Sequence, residues 1–198
     1  MKNTYYILRH GQTIYQKEGW GINYKPDENP NITLTEEGIK MVEVSVEKLK
    51  DLTAQAGRNI DLIFSSPYER TRQTAEIVAK AVGIKEIHFD KRLVDIDLGK
   101  FMGRSSEDSK KFYMDGSGNF DNKPEDGESW NDVRKRTQDF LEELENKYGG
   151  KNILIVSHAD PIWFLLGYLR GLKTNDQFLE ARKDRENSYP RLAQLIKA

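Results

Sequence analysis

The chain contains no cysteine and only three histidines, His10, His88 and His158. The absence of cysteine excludes disulfide bonds, thiolate metal sites and every mechanism that uses a cysteine nucleophile. With so few imidazoles, a zinc site built from several histidines is difficult to assemble. We therefore predict that the protein uses no metal and no other cofactor.

An excess of charge of either sign is also absent. The 198 residues include 31 Lys and Arg against 32 Asp and Glu, which gives a formal net charge of -1. This balance argues against nucleic acid or an anionic membrane as a partner, so a bound anion must be held by a local cluster of cations. The longest strongly apolar run, residues 162–169, is too short to span a bilayer, and no signal peptide is recognisable at the N-terminus. We expect a cytoplasmic protein.

Short apolar runs rich in β-branched and aromatic residues alternate with stretches of helical periodicity. This alternation predicts an α/β fold, a three-layer α/β/α sandwich with a mostly parallel central sheet, in a single domain over residues 1–198. Residues 99–128 show no clear period, and we predict a short irregular lid inserted there. Strands are predicted at residues 4–8, 60–64, 86–89, 152–156 and 192–196, and helices are predicted to begin near residues 35, 66, 129, 160 and 175.

Several helix boundaries are marked by local signals. Thr35 is predicted to cap a helix whose buried stripe begins at Ile39. Ser66 is predicted to be the N-cap of the next helix, because Pro67 suits the first helical position. Gly83 is the expected stop of that helix.

The residues that follow the predicted strands are charged or polar. The carboxyl ends of parallel strands meet at one edge of the sheet, where such folds bind ligands. His88 lies inside a strand instead, and we assign it a structural role. The residues expected at the edge are Arg9 and His10 after the first strand, Ser65, Ser66 and Arg70 after the second, Arg92, Asp95 and Asp97 after the third, and Ser157 and His158 after the fourth.

Two arginines and two histidines at one edge suit a phosphate group, because guanidinium forks pair with phosphate oxygens. Without a thiol or a metal cage, imidazole is the best remaining nucleophile for phosphorus. Asp95 or Asp97 is then available to protonate the leaving oxygen. Each residue also has a purely structural interpretation, as a surface cation, a helix cap or a residue on the solvent-exposed face of a strand. Their convergence at one edge favours the chemical interpretation.

Six short sequence motifs are distributed along nearly the whole chain. The first holds Arg9, His10 and Gly11. The others are LTEEG at 34–38, SSPYERTRQTA at 65–75, LVDIDLGKFMG at 93–103, GES at 127–129 and SHA at 157–159. In this order and spacing they resemble the histidine phosphatase superfamily, in its phosphoglycerate mutase-like branch.

The resemblance implies a role for each matching residue. It assigns catalysis to His10, Asp95 and His158. His10 would carry the phosphoryl group, and Asp95 stands where the family usually has a glutamate proton donor. Gln16 stands where many members have a pocket asparagine, and Ala159 replaces the usual glycine. The implied phosphate pocket consists of Arg9, Gln16, Arg70 and His158.

Three functions are compatible with these residues. The first is a phosphomonoester hydrolase that acts on a small phosphorylated metabolite through a phosphohistidine. The second is a mutase of the phosphoglycerate type, and the third is a non-catalytic module that binds phosphorylated ligands. The resemblance implies that mutases have a longer lid, so the short lid favours hydrolysis. We expect contacts to the leaving group from Ile22, Asn23, Tyr24 and Phe101, and no feature predicts an oligomeric state.

Overall fold

The computed structural model describes residues 1–114 and 120–198. The strands are β1 (Thr4–Arg9), β2 (Leu62–Ser65), β3 (Ile87–Phe89), β4 (Asn152–Ser157) and β5 (Leu195–Lys197). The α-helices are α1 (Ile14–Lys17), α2 (Glu36–Gln55), α3 (Glu69–Val82), α4 (Ser106–Met114), α5 (Trp130–Lys147), α6 (Ala159–Leu169) and α7 (Asn175–Lys183), and short 3-10 helices cover Lys91–Leu93 and Gly99–Phe101.

The five strands form one sheet in the order β3-β2-β4-β1-β5. The pairs β1 with β4, β2 with β4 and β2 with β3 are parallel. Only the edge strand β5 among these five runs antiparallel, against β1. The predicted mostly parallel sheet is therefore confirmed.

Alternating residues of β1 divide the core into two layers. Tyr6 and Leu8 pack with Val42, Val46 and other residues of α2 and α3 on one face of the sheet. The intervening residues of β1 pack on the opposite face with apolar residues of α5 and α6. This is the side-chain period of a strand that is covered on both faces. The three-layer α/β/α architecture is confirmed.

Capping chemistry explains several helix ends. The Thr35 hydroxyl accepts a hydrogen bond from the Gly38 amide at the start of α2. Ser129 forms a capping box with Asp132 at the start of α5. Gly83 ends α3 in the left-handed conformation, with φ of 75°, as predicted.

Two local predictions are wrong. Ser66 does not cap α3, which begins at Glu69 after Tyr68. The Ser66 hydroxyl instead lies 2.9 Å from Nε2 of His158, a long-range contact that no local pattern reveals. Ile39 is 39% exposed and is not part of the buried stripe of α2.

Residues 115–119 of the predicted lid lie outside the described residues, but its described part is more regular than predicted, because it contains a 3-10 turn and the helix α4. Residues 15–34 form hydrogen bonds with this segment. Ile22 forms an isolated antiparallel bridge with Ser105, and the amide of Asn23 donates to the Arg104 carbonyl oxygen at 2.8 Å. The two segments together cover the carboxyl edge of the sheet. In residues 1–114 and 120–198, no helix combines the length and the apolar character needed to cross a membrane.

Candidate active site

The carboxyl ends of β1 and β4 bring two histidines together. The strands are in parallel register, with Arg9 opposite Ser157, and a histidine follows each of these residues. The ring centroids of His10 and His158 lie 5.3 Å apart. The two residues are buried, with exposed fractions of 1% and 0%. The convergence expected from a parallel sheet is therefore present.

The environment of His10 selects one tautomer. Its Nδ1 lies 2.8 Å from the carbonyl oxygen of Gly11. A carbonyl oxygen only accepts hydrogen bonds, so Nδ1 carries the proton and Nε2 keeps its lone pair. Burial, reinforced by the positive charges of Arg70 and Arg9, lowers the pKa of His10 well below its usual value. The ring is therefore neutral near pH 7, the state that a nucleophile requires.

A close approach of two backbones holds the turn after His10. A Cβ atom on Gly11 would lie 2.5 Å from the carbonyl oxygen of Gly38 in α2. Only glycine fits at that distance without displacing the helix. The glycine of the Arg-His-Gly block thus has a packing reason as well as its place in the motif.

His158 is oriented by Ser66 and lies close to Asp95. Its Nε2 lies 2.9 Å from the Ser66 hydroxyl oxygen, and its Nδ1 lies 3.7 Å from Oδ2 of Asp95. Nδ1 is buried and has no hydrogen-bond partner among the described residues. Burial, followed by the charge of Arg70, lowers the pKa of His158 well below its usual value. When the Ser66 hydroxyl donates to Nε2, Nδ1 is a proton donor without an acceptor.

Arg70 is fully buried in the first turns of α3. Its Nη1 donates to the carbonyl oxygen of Asn29 at 2.6 Å, and its Nη2 lies 3.3 Å from Oδ2 of Asp95. The guanidinium carbon lies 4.3 Å from the centre of the Tyr24 ring and 5.1 Å from that of Tyr68. Two aromatic faces therefore hold the buried cation. Sequence reasoning did not identify Tyr68 or Asn29 as part of this site.

Three buried nitrogen atoms near the two histidines have no partner within the described residues. They are Nε of Arg9, Nε of Arg70 and Nδ1 of His158. Arg9 is held by a hydrogen bond from Nη1 to the Pro190 carbonyl oxygen at 2.9 Å. Buried donors without acceptors are costly, and a bound anion would remove that cost by accepting from them. The site is therefore suited to a tetrahedral oxyanion.

Asp95 and Asp97 occupy different surroundings. Oδ2 of Asp95 faces Arg70 and His158, whereas Oδ1 of Asp97 accepts a hydrogen bond from the Gly99 amide at 2.9 Å. Burial raises the pKa of Asp95, although the nearby charge of Arg70 opposes the rise. Asp97 is exposed and braces the turn into the lid. The structure therefore brings Asp95, and not Asp97, to the histidines.

Gln16 lies beside the site but is engaged with its neighbours. Its Oε1 accepts from the Thr13 amide at 3.0 Å, and its Nε2 donates to the Tyr24 hydroxyl at 2.8 Å. These bonds fix the Tyr24 ring that covers Arg70. Gln16 thus lines the cavity while supporting Tyr24.

The remaining predicted residues divide into two groups. Ile22, Asn23 and Tyr24 line the cavity, as expected for contacts to a leaving group. Phe101 is not among the lining residues in the described part of the chain. Its ring lies 5.2 Å from that of Phe112. Outside the site, His88 packs 5.0 Å from Phe64 and Arg92 forms ion pairs with Asp90 and Glu143.

A cavity of about 670 Å³ adjoins the two histidines, because its lining includes Arg9 and Ala159, the chain neighbours of His10 and His158. The histidines themselves lie behind these residues and do not line it. It is large enough for a small metabolite. Part of its wall comes from the C-terminal region, which sequence reasoning described only as a charged helix and an edge strand. The residues from this region and from the start of α6 are Asp160, Arg182, Arg185 and Tyr189.

Comparison with known proteins agrees with this geometry. Residues 5–180 match the sequence profile of the histidine phosphatase superfamily, branch 1. The chain is 31% identical to a 2,3-bisphosphoglycerate-dependent phosphoglycerate mutase of Thermoplasma acidophilum over 166 residues, which is 82% of this chain and 74% of the relative. It is 27% identical to phosphoserine phosphatase 1 of Hydrogenobacter thermophilus over 161 residues, which is 79% of this chain and 71% of the relative.

A solved structure is also similar. It is phosphoserine phosphatase of Entamoeba histolytica in complex with 3-phosphoglyceric acid, with a TM-score of 0.68 and 25% identity over 90% of this chain and 84% of that one. The match to the profile covers most of the chain and includes both histidine blocks. The chain therefore belongs to the histidine phosphatase superfamily, branch 1.

Proposed function

We propose that this protein is a phosphomonoester hydrolase that acts on a small phosphorylated metabolite through a phosphohistidine at His10. One observation carries the proposal. His10 is held in the tautomer that leaves Nε2 with a lone pair, next to buried nitrogen atoms of Arg9, Arg70 and His158 that have no acceptor among the described residues. A nucleophile and an unfilled oxyanion site are therefore adjacent.

The first half of the reaction transfers the phosphoryl group. Nε2 of His10 attacks phosphorus, and the bond from phosphorus to the ester oxygen breaks. The proton on Asp95 passes to the leaving oxygen, which departs as an alcohol. Burial favours the protonated carboxyl group that this step needs, because it raises the pKa of Asp95.

The second half regenerates the enzyme. The Asp95 carboxylate accepts a proton from water, whose oxygen attacks phosphorus as the bond to Nε2 breaks. Inorganic phosphate leaves, and His10 returns to its neutral form. Arg9, Arg70 and His158 stabilise the phosphoryl oxygens in both halves, because their donors are already oriented before the substrate arrives.

The proposal includes metal independence. The arginines supply the positive charge that a metal would otherwise provide. In the described residues, no group of three or more His, Cys, Asp or Glu side chains is arranged to hold an ion. The single-domain organisation over residues 1–198 and the cytoplasmic location stay predictions.

Mutase activity is the competing function, because one relative is named for it. A mutase returns the phosphoryl group to its acceptor, whereas a hydrolase transfers it to water. The two are separated by incubating the enzyme with 3-phosphoglycerate and 2,3-bisphosphoglycerate. Release of inorganic phosphate without formation of 2-phosphoglycerate is the result expected here.

The decisive experiment is to trap the intermediate. We expect rapid quenching with a ³²P-labelled substrate to give an acid-labile, base-stable label on His10, and the same turnover after exhaustive chelation. The variant His10→Ala should lose at least about 10⁴-fold in turnover and all of the label. His88→Ala is the matched control, because His88 lies in β3 away from the site. Label on a serine or a carboxylate would refute the mechanism.

A further inference from the structure

We infer that Arg185 and Arg182 form a second anion-binding subsite, which selects phosphate esters whose leaving group carries an anionic group of its own, a carboxylate or a second phosphate. This inference rests on the proposed function, because it concerns the part of the substrate that His10 releases. The phosphate is held by the first subsite, at Arg9, Arg70 and His158. The second subsite lies on the wall of the cavity that Arg9 also lines.

Tyr189 contacts the second subsite, and the residue that follows it contacts the first. The guanidinium carbons of Arg182 and Arg185 lie 4.2 Å and 4.6 Å from the centre of its ring. The carbonyl oxygen of the next residue, Pro190, accepts the hydrogen bond from Arg9 at 2.9 Å. Since consecutive residues are about 3.8 Å apart at Cα, the second pair of cations lies close to the phosphate pocket. A small metabolite can therefore span the two subsites.

The two arginines differ in their pairing. Nη2 of Arg182 lies 3.4 Å from Oδ1 of Asp160 and 3.1 Å from the Tyr189 hydroxyl. Its buried Nε has no hydrogen-bond partner in the part of the chain that the structure describes. Arg185 forms no hydrogen bond or ion pair with any described residue and is exposed on the cavity wall. The guanidinium of Arg185 is partly covered by Tyr189, and this partial burial lowers its pKa. Tyr189 opposes the shift, whereas the charges of Arg9, Arg182 and Arg191 lower the pKa further. Arg185 therefore has other cations nearby and no ion-pair partner in residues 1–114 and 120–198.

The charge balance of the cavity points to a second anion. Among the residues that the structure describes, the cavity lining has two carboxylates against four cations, and Arg70 adds a fifth cation beside Asp95. A single phosphate dianion therefore leaves the site positive. The lining cations are Arg9, Lys110, Arg182 and Arg185, and the lining carboxylates are Asp95 and Asp160.

The chemistry of the two arginines indicates what they bind. A guanidinium fork pairs with two oxygens of one carboxylate or phosphate, and stacking on the Tyr189 ring holds each fork before the ligand arrives. A neutral leaving group would leave the buried Nε of Arg182 without an acceptor among the described residues and the exposed guanidinium of Arg185 facing only solvent. A charged hydrogen bond of this kind is worth about 10- to 100-fold in affinity.

Matched substrates test the inference. Phosphoserine differs from phosphoethanolamine, and 3-phosphoglycerate from glycerol 3-phosphate, by a carboxylate. Glucose 1,6-bisphosphate differs from glucose 6-phosphate by a second phosphate. We expect the wild-type enzyme to have a kcat/KM at least ten-fold higher for the more anionic member of at least one pair, mainly through KM. The pair with the larger ratio identifies the anion.

The variant Arg185→Gln should lower that ratio about 10- to 100-fold, and Arg185→Lys should restore part of it. Arg191→Gln is the matched control. It removes the same charge six residues away, from an exposed arginine that is paired with Glu186 and does not line the cavity. The control should keep the wild-type ratio. Ratios near one in the wild-type enzyme, or a ratio that Arg185→Gln leaves unchanged, would overturn the inference.

A binding measurement separates this inference from the proposed function. If the wild-type protein hydrolyses aryl phosphates but has ratios near one, the hydrolase proposal stands and the second subsite does not exist. If it hydrolyses no ester, the hydrolase proposal fails, and calorimetric titration with the same pairs decides the subsite. Tighter binding of the more anionic ester, lost in Arg185→Gln and kept in Arg191→Gln, would then support it. Equal binding of both members of each pair would refute it.

Discussion

The buried residues around the two histidines and the residues that line the adjoining cavity belong to two regions that are built in different ways. We call His10, Ser66, Arg70 and His158 the phosphate floor, and Ile22, Tyr24, Arg182, Arg185 and Tyr189 the leaving-group wall. Every residue of the floor is at most 1% exposed, and each follows a strand or lies in the first turns of the next helix. The wall comes from loop segments and from the C-terminal region, and its residues are exposed or half-buried.

This difference explains how one fold accommodates several substrates. A change in the floor disturbs buried strands and buried charges, so it is costly to the fold as well as to catalysis. A change in the wall alters mostly loop residues, where substitution is tolerated. We therefore expect the floor to determine the reaction and the wall to determine the leaving group.

After the loss of the nucleophile His10, the largest effect is expected at Asp95, the proposed proton donor. Asp95→Asn should lower kcat for alkyl phosphates about 10²- to 10⁴-fold, because their leaving oxygens need a proton. The loss should be far smaller with nitrophenyl phosphate, whose leaving group departs as an anion. Steady-state kinetics with both substrates measures the difference. Asp97→Asn serves as the control, since Asp97 only braces the Gly99 turn. The reverse pattern would assign the proton transfer to Asp97.

The next effect concerns the shape of the cation in the floor. Arg70→Lys should lower kcat/KM about 10²- to 10³-fold for alkyl and aryl phosphates alike, because a point charge does not match two phosphoryl oxygens. Arg72→Lys, two residues along α3, is the control. Arg72 forms an ion pair with Glu69 at the surface. Near-normal kinetics in Arg70→Lys would show that the guanidinium fork does not contact the phosphate.

The buried histidines also affect stability. The folded-state pKa values of His10 and His158 lie below the unfolded value, so the unfolded chain binds more protons at acidic pH. The free energy of unfolding should therefore fall as the pH drops below about 6.5, by up to about 1.4 kcal/mol per pH unit for each histidine. Denaturant titrations between pH 5 and 8 measure this slope. His10→Gln and His158→Gln should each make it shallower, and an unchanged slope would contradict burial of a neutral ring.

The smallest effect is expected in the wall. Tyr24→Phe keeps the ring over Arg70 but removes the hydroxyl that accepts from Gln16. Losing one such bond should raise KM about 2- to 10-fold with little change in kcat. Tyr24→Leu also removes the aromatic face, and it should lower kcat as well. A large fall in kcat in Tyr24→Phe would mean that this hydroxyl contacts the reacting phosphate, and the separation between wall and floor would fail.

Much of the floor could be predicted from the sequence. His10 and His158 directly follow buried apolar runs, and a mostly parallel sheet brings the ends of such strands to one edge. The order of strands and helices was also readable, because each has a period and a capping residue. The choice of Asp95 over Asp97 as the proton donor depended on the family resemblance. Alternation along the chain places both side chains on the same face, so periodicity does not distinguish them. The structure separates the two through the turn that Asp97 holds at Gly99.

Local patterns determined the elements of this protein, because capping, periodicity and turn chemistry act over a few residues. Tertiary structure alone decided three features. The Ser66 hydroxyl contacts His158 instead of capping a helix, Phe101 packs on Phe112 outside the cavity, and the arginines of the C-terminal region reach the cavity wall. The first and the third depend on contacts between residues far apart in the chain. Such contacts form only when the sheet has brought those residues together, so no local signal in the sequence reports them.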